Sequence, residues 1–371
     1  MRQRFRAPRG NLWKPSTPPI RSQPTLRVLS LPQSDYSQVS KLQSILFNLH
    51  LLHKSSQNTQ TPIRQPPPFL ITTSFHPIYT FGRREASRTP PEAVKQLLSE
   101  NKASVAYTPR GGQVTFHGPG QIVAYPIIDL KQHGLSPRCY IRALENAVIR
   151  VLEQFAIRAF TTEEAGVWVR DDRKVASIGV NLRRWVSSHG LALNVDTDLE
   201  WFKKIVACGL EGVEMWSMKR EWEELEGGDP VTGEGVLVRG SREMAAKENL
   251  SAVDGKVFKR KIVKAVVAEI MREIGCRDSS PITVEEVEEL GREYGLSGED
   301  GVEFYKFWRD KGLYVREKGG IPEVDDENLV PEELKETVEG SGVPDNSDSD
   351  TDPDEGAPLF LTRRRRGWDY L

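Results

Sequence analysis

Three short apolar runs, 166–170, 175–180 and 191–195, follow one another with connections too short to hold a crossover helix. Parallel neighbours need about a dozen or more connecting residues, so this spacing predicts an antiparallel meander. Around the meander the pattern alternates without a βαβ rhythm. Ser37–His53 carries Val39, Leu42, Ile45, Leu46 and Leu49 at helical spacing, and Ile141–Phe155 and Lys256–Ile274 repeat that periodicity. Phe69–Phe81 reads as a strand with a turn at His76-Pro77, and Val123–Leu130 as a short apolar strand. The expectation is an α+β fold, a mixed or antiparallel central sheet flanked by helices.

The two ends of the chain read differently. The first 34 residues hold seven bases (Arg2, Arg4, Arg6, Arg9, Lys14, Arg21, Arg27), no acid and no apolar h-region. That composition fits an organellar transit peptide over 1–25 or a disordered basic tail. Between Ile321 and Pro358 fourteen acids face the single base Lys335, too little apolar surface to offset the entropy of ordering. Residues 321–371 are therefore expected to be a disordered acidic tail ending in the basic cluster Arg363–Arg366. A folded body over 26–280 is expected between the ends, with a polar insertion at about 219–249 and a helical attachment at 281–320. Three cysteines in 371 residues exclude a disulfide framework, and no Cys/His spacing suits a metal. A net charge of -2 argues against a nucleic-acid footprint, and no run is long and apolar enough for a membrane span.

The densest cluster of glycine and polar residues is Arg110-Gly111-Gly112-Gln113-Val114-Thr115-Phe116-His117-Gly-Pro-Gly-Gln121. Glycines permit positive φ and close backbone approach, so the segment suits a tight turn or a loop offering amides to a ligand. It lacks the Gly-Lys-[Ser/Thr] ending of a phosphate loop and the spacing of a dinucleotide fingerprint. Taken whole, it resembles the signature of the lipoyl(octanoyl) transferases, the octanoyl-carrier-protein:protein octanoyltransferases. Further pieces agree in order: His76–Arg84, Lys174-Val-Ala-Ser177-Ile178-Gly179, His189-Gly190-Leu191-Ala192-Leu-Asn-Val195, and Ala207-Cys208-Gly209, with Ala207 where that family usually carries proline. The resemblance spans about residues 26–275 and implies the catalytic-domain fold of biotin and lipoate protein ligases.

It also implies a mechanism. Cys208 is the nucleophile and Lys174 the cation that favours its thiolate, because a free thiol is only a few per cent ionised at pH 7. An octanoyl group passes from acyl carrier protein to Cys208. It then passes to a lysine of lipoyl-domain proteins, those of 2-oxoacid dehydrogenases and the glycine cleavage system. No cofactor, metal or ATP is required. Arg110–His117, Ser177–Gly179 and Gly190–Ala192 are implied to hold the acyl chain, and such proteins in eukaryotes work in mitochondria. Three alternatives stay open: an ATP-dependent lipoate or biotin ligase, a catalytically inactive adaptor, and, for His117 alone, a structural histidine bonded to backbone.

Overall fold

The computed structural model describes residues 23–85, 90–226 and 255–296. The transit segment up to residue 22, the insertion from 227, the attachment beyond 296 and the acidic tail lie outside the described residues. Along the chain run β1 (Thr25–Ser34), α1 (Tyr36–Ser56), β2 (Phe69–Phe75), β3 (Ile78–Phe81), α2 (Glu92–Ser99), β4 (Ser104–Tyr107), β5 (Thr115–His117) and β6 (Gln121–Ile127). There follow α3 (Pro137–Gln154), β7 (Gly166–Arg170), β8 (Arg173–Arg183), β9 (Val186–Asn194), β10 (Glu214–Met215), α4 (Met218–Glu226), α5 (Gly255–Glu273), β11 (Asp278–Pro281) and α6 (Val284–Glu293).

The main sheet runs β10-β8-β9-β6-β2-β1-β11, with β7 also paired to β8. The expected meander is present: β7 pairs antiparallel with β8, and β8 with β9. Beyond it, β6 joins β9 and β2 in antiparallel fashion, while β1 pairs in parallel with both β2 and β11, so the sheet is mixed. Period-two alternation divides the side chains between two cores. Ile122 and Ala124 of β6, with Leu191 and Leu193 of β9, join the cluster that α3 and α5 cover. Val123, Tyr125 and Ile127 face the opposite way, onto α1 and the Val287 side of α6. The helix expected in a C-terminal attachment thus packs, over its described residues, on the same core as α1.

The turn at His76-Pro77 does more than reverse the chain. β2 stays in the main sheet, whereas β3 crosses into a second sheet of order β4-β3-β5. That sheet has its own core of Tyr79, Phe81, Val94, Val114, Phe116 and Phe202. The long loop between β4 and β5, which carries Arg110–Gln113, therefore runs where the two sheets meet.

Candidate active site

Strict alternation would turn Lys174 and Ser177, three residues apart on β8, to opposite faces. The register with β7 breaks that rule: Gly166 pairs with Ser177 and Val167 with Ala176, but the next pair is Trp168 with Lys174. Val175 is the extra residue of a β-bulge, and a bulge re-aims the side chains beyond it. Lys174 is brought back to the Ser177 side. A Cβ placed on Gly166, the partner of Ser177, would fall 2.3 Å from Lys174 Cε and 3.0 Å from Nζ. Only glycine fits there, since its φ is also +139°. The Lys174 ammonium is buried, donates to the Ala165 carbonyl at 2.8 Å, and lies 5.3 Å from the centre of the Trp168 ring. A buried ammonium is stabilised further by a nearby anion.

Ser177 Oγ stands 3.7 Å from Cys208 Sγ, a hydroxyl–thiol contact on the face to which the bulge returns Lys174. Cys208 lies in the single 3₁₀ turn Ala207–Gly209 and itself has φ 56°, a left-handed conformation uncommon for a residue with a Cβ. The strain is held by the Cys208 amide donating to Val114 O at 2.7 Å, with Gly209 N to Val206 O and Leu210 N to Ala207 O closing the turn. Backbone strain of this kind gathers at functional positions. Cys208 as a residue is half-buried.

The glycine loop is tied to both sheets. Gly111 N donates to Val180 O of β8 at 2.9 Å. Arg110 Nη2 donates to Thr80 O at 2.6 Å and to Thr80 Oγ1 at 2.8 Å on β3, and Val114 N donates to the Glu85 carboxylate at 2.5 Å. Gln113 packs against Gly209, so the cysteine turn rests on the loop. Gly111–Gln113, Ser177–Gly179 and Cys208 are all half-buried or exposed only in part, unlike the strand residues around them.

The remaining expected site residues divide. Val114 and Phe116 point into the core of the second sheet, Phe116 stacking on Trp201 at 5.1 Å. Thr115 is buried in β5. Gly190 lets β9 approach β6, because a Cβ would meet Ala124 O at 2.3 Å. Leu191 and Ala192 fall on opposite faces of the main sheet, and Ile178 packs against the α3 side. His117 Nδ1 bonds to Gln121 Oε1 at 2.7 Å, Gln121 Nε2 donates to Asn194 Oδ1, and Asn194 Nδ2 donates to Trp216 O. An amide oxygen partner makes Nδ1 the protonated nitrogen and leaves Nε2 an acceptor. Burial pushes the His117 pKa down to about 4, so the ring is neutral. His189, with φ 58° and its amide donating to Gln43 Oε1, is likewise driven down to about 3 by burial.

Several residues packed around the candidate site escaped the sequence reading: Gly166, Trp168, Glu85 and Glu145. Glu145 left a signal, since an acid at that position sits on the apolar stripe Ile141, Leu144, Val148 and Leu152 of α3. Gly166 opening an apolar run was a second.

Comparison with known proteins identifies the family. Residues 44–226 match the lipoyl protein ligase A/B catalytic domain. A probable octanoyltransferase of Schizosaccharomyces pombe is 47% identical over 190 residues, which are 51% of this chain and 82% of that protein. The mitochondrial octanoyl-[acyl-carrier-protein]:protein N-octanoyltransferase LIPT2 of Danio rerio is 39% identical over 198 residues, 53% of this chain and 83% of that one. Among solved structures, P. falciparum LipL1 in complex with lipoate aligns with a TM-score of 0.49 at 12% identity, covering 80% of this chain and 75% of that chain. With the greater part of two such relatives matched at these identities, the chain belongs to the octanoyltransferases of the lipoyl protein ligase A/B catalytic-domain family.

Proposed function

We propose that this acyltransferase carries the octanoyl group on Cys208 as a thioester, with Lys174 as the cation that activates the sulfur. The chain is an octanoyltransferase of protein lipoylation by its family. The observation that carries the finer reading is the bulge at Val175, which turns a buried ammonium to the side of the strand where Ser177 meets the thiol.

In the first half-reaction the Cys208 thiolate attacks the carbonyl carbon of an octanoyl thioester on a carrier protein. A carbon–sulfur bond forms to Cys208, the bond to the carrier sulfur breaks, and the carrier thiolate takes the Lys174 proton and leaves as its thiol, so that Lys174 is left as the neutral amine. In the second half, the neutral ε-amine of an acceptor lysine attacks the Cys208 thioester. The amide forms, the Cys208 sulfur leaves, and the proton lost by the amine passes through Lys174 to restore the starting site. Thioester exchange is nearly balanced and amide formation is downhill, so no nucleotide is consumed. Ser177 Oγ, touching the sulfur, orients it between the two halves. The half-buried Gly111–Gln113 and Ser177–Gly179 segments form the walls along which the chain lies. Burying about seven methylenes at roughly 0.8 kcal/mol each favours a medium-length acyl group, and each methylene removed weakens binding about fourfold.

The donor is acyl carrier protein and the acceptors are lipoyl-domain proteins of 2-oxoacid dehydrogenases and of the glycine cleavage system. Relatives named as mitochondrial, together with the basic, acid-free first 34 residues, support a mitochondrial location. Among the described residues no helix is long and apolar enough to cross a membrane.

Intact-mass measurement tests the reaction. Incubation with octanoyl carrier protein, without ATP, adds one octanoyl group to the wild-type chain, and Cys208→Ser and Lys174→Met lose it. A requirement for ATP, or transfer that survives in Cys208→Ser, refutes the cysteine route in favour of a ligase. Absence of any transfer favours the adaptor. Fusion of residues 1–40 to a reporter tests the location, and cytosolic retention overturns it.

A further inference from the structure

The carboxylate of Glu145 belongs to no motif and has no place in the cycle above, yet it is buried within α3 and aimed at the corner that holds Lys174. Its Oε1 accepts a hydrogen bond from the Gly166 amide at 3.0 Å, and Oε2 pairs with Arg142 at 2.9 Å. Gly166 follows Ala165, whose carbonyl accepts from the Lys174 ammonium, and Gly166 is the wall against which Lys174 Cε and Nζ lie. The same glycine is the cross-strand partner of Ser177, which touches Cys208. A buried acid has to be compensated, and nothing in helix packing alone calls for one at this position.

We infer that Glu145 is a positioning residue of the transfer reaction: by holding the Gly166 amide it fixes the Ala165–Gly166 corner, and that corner fixes the ammonium of Lys174 beside the Cys208 thiol. The inference rests on the Cys208–Lys174 reading above. The electrostatics agree. Burial raises the carboxyl pKa, and the Gly166 hydrogen bond, the Arg142 charge and the Lys174 charge oppose that rise. Glu214, Glu221 and Glu224 pair with Arg170, Arg173 and Arg220, whereas Glu145 holds the Gly166 amide and feels the Lys174 charge. The α3 helix also makes the anchor firm. Ser136 caps it by accepting from Cys139 N, Pro137 opens it, and its apolar face packs on α5 and β8.

Three substitutions separate geometry from charge and from mere folding. Glu145→Gln keeps the acceptor for Gly166 and removes the charge. Glu145→Asp keeps the charge and withdraws the acceptor by one methylene. Glu145→Ala removes both. Two readouts are followed: the rate of octanoyl transfer, and the rate at which iodoacetamide alkylates Cys208 at pH 7, read by peptide mass, with Lys174→Met as the reference for a thiol without its cation. In Glu145→Ala and Glu145→Asp, alkylation falls to the Lys174→Met level, and kcat for transfer falls about 10²-fold with KM for the carrier substrate unchanged. Glu145→Gln restores both to near wild type. Wild-type alkylation in Glu145→Ala overturns the inference, and so does Glu145→Gln behaving like Glu145→Ala. Should Glu145→Ala fail to fold, the contrast between Gln and Asp decides the matter. Alkylation needs no acyl donor, so a wild-type chain that alkylates but never gains octanoyl defeats the reaction reading and still tests Glu145.

Discussion

Replacing Gly166 by alanine puts one methyl group at the point on which the proposed site depends. The new Cβ would lie 2.3 Å from Lys174 Cε and 2.7 Å from the Ala176 carbonyl oxygen, at a residue whose φ is +139°. A side chain at such a φ costs about 1–3 kcal/mol, and overpacking against a backbone atom adds about 1–3 kcal/mol. The variant should therefore lose roughly 2–6 kcal/mol of stability in denaturant unfolding. Function suffers separately. To reach an ordinary carbon–carbon contact of about 3.5 Å, Lys174 Cε must retreat by roughly 1 Å. A displacement of that size at a reacting centre lowers transfer about 10²-fold. Gly295, with φ +66° and nothing within 4 Å of its added Cβ, is the control. Gly295→Ala carries backbone strain alone, about 1–2 kcal/mol, and should transfer octanoyl at the wild-type rate. Denaturant midpoints and single-turnover acylation are measured on both. A Gly166→Ala protein that acylates at the wild-type rate while folded refutes the placement of Lys174, and a slow Gly295→Ala refutes the claim that strain and chemistry separate.

Acid stability should follow the buried histidines. Burial lowers His50 to about 3, His117 to about 4 and His189 to about 3, whereas the unfolded chain binds protons at these rings near the ordinary histidine value of 6.5. Their contribution is complete about one unit above pH 6.5 and is lost as the pH falls through 6.5 toward the folded values, at up to about 1.4 kcal/mol per pH unit for each ring. Stability that is flat between pH 6.5 and 4.5 in guanidinium titrations contradicts this. Gln121→Leu strips His117 Nδ1 and Asn194 Oδ1 of their shared partner in a buried network, and each group left unpaired costs about 1–3 kcal/mol. A shift in unfolding free energy below about 0.5 kcal/mol shows that the network is not holding β5 to β9 as described.

What the sequence made legible was whatever depends on local period. α3 announced itself through the helical periodicity of Ile141–Phe155, although its capped start at Ser136-Pro137 lies one turn earlier, and the meander β7-β8-β9 through its short connections. Pairing over long separations left no such mark. Thr25 of β1 lies beside Asp278 of β11, and nothing local to either run names the other. The turn at His76-Pro77 was visible, but that β2 and β3 then enter different sheets depends on partners elsewhere in the chain. The site shows the same division. Cys208, Lys174 and the glycine loop were singled out through motif resemblance. Alternation alone would have sent Lys174 and Ser177 to opposite faces, because the bulge at Val175 exists only through the register with β7. For the same reason the run Val114–His117 did not reveal that Phe116 turns away into the second core while Gly111–Gln113 stay at the half-buried junction.

The two members of the proposed pair are held by different parts of the molecule. Lys174 is fixed within the main sheet, by the Ala165 carbonyl and the Gly166 wall. Cys208 is fixed by Val114, the residue that leads from the glycine loop into β5 of the second sheet. Neither sheet alone therefore specifies the distance between sulfur and nitrogen. It is set by the junction, where Gly111 binds β8, Arg110 binds Thr80 of β3, and the Glu85 carboxylate takes the Val114 amide. The Arg110 and Glu85 bonds hold the loop to the second sheet, and the Gly111 bond ties it to β8, so rotation of one sheet against the other would strain the Gly111–Val180 bond. Proximity is worth a large factor in rate only if the geometry is already in place when substrate arrives. The glycine loop supplies that condition: it is the clamp between the layer that carries the charge and the layer that carries the nucleophile. Glycine lets backbone of both layers close on the loop: a Cβ on Gly82, just after β3, would fall 2.2 Å from Gly112 O, and one on Gly179 of β8 would fall 3.3 Å from Gly111 O.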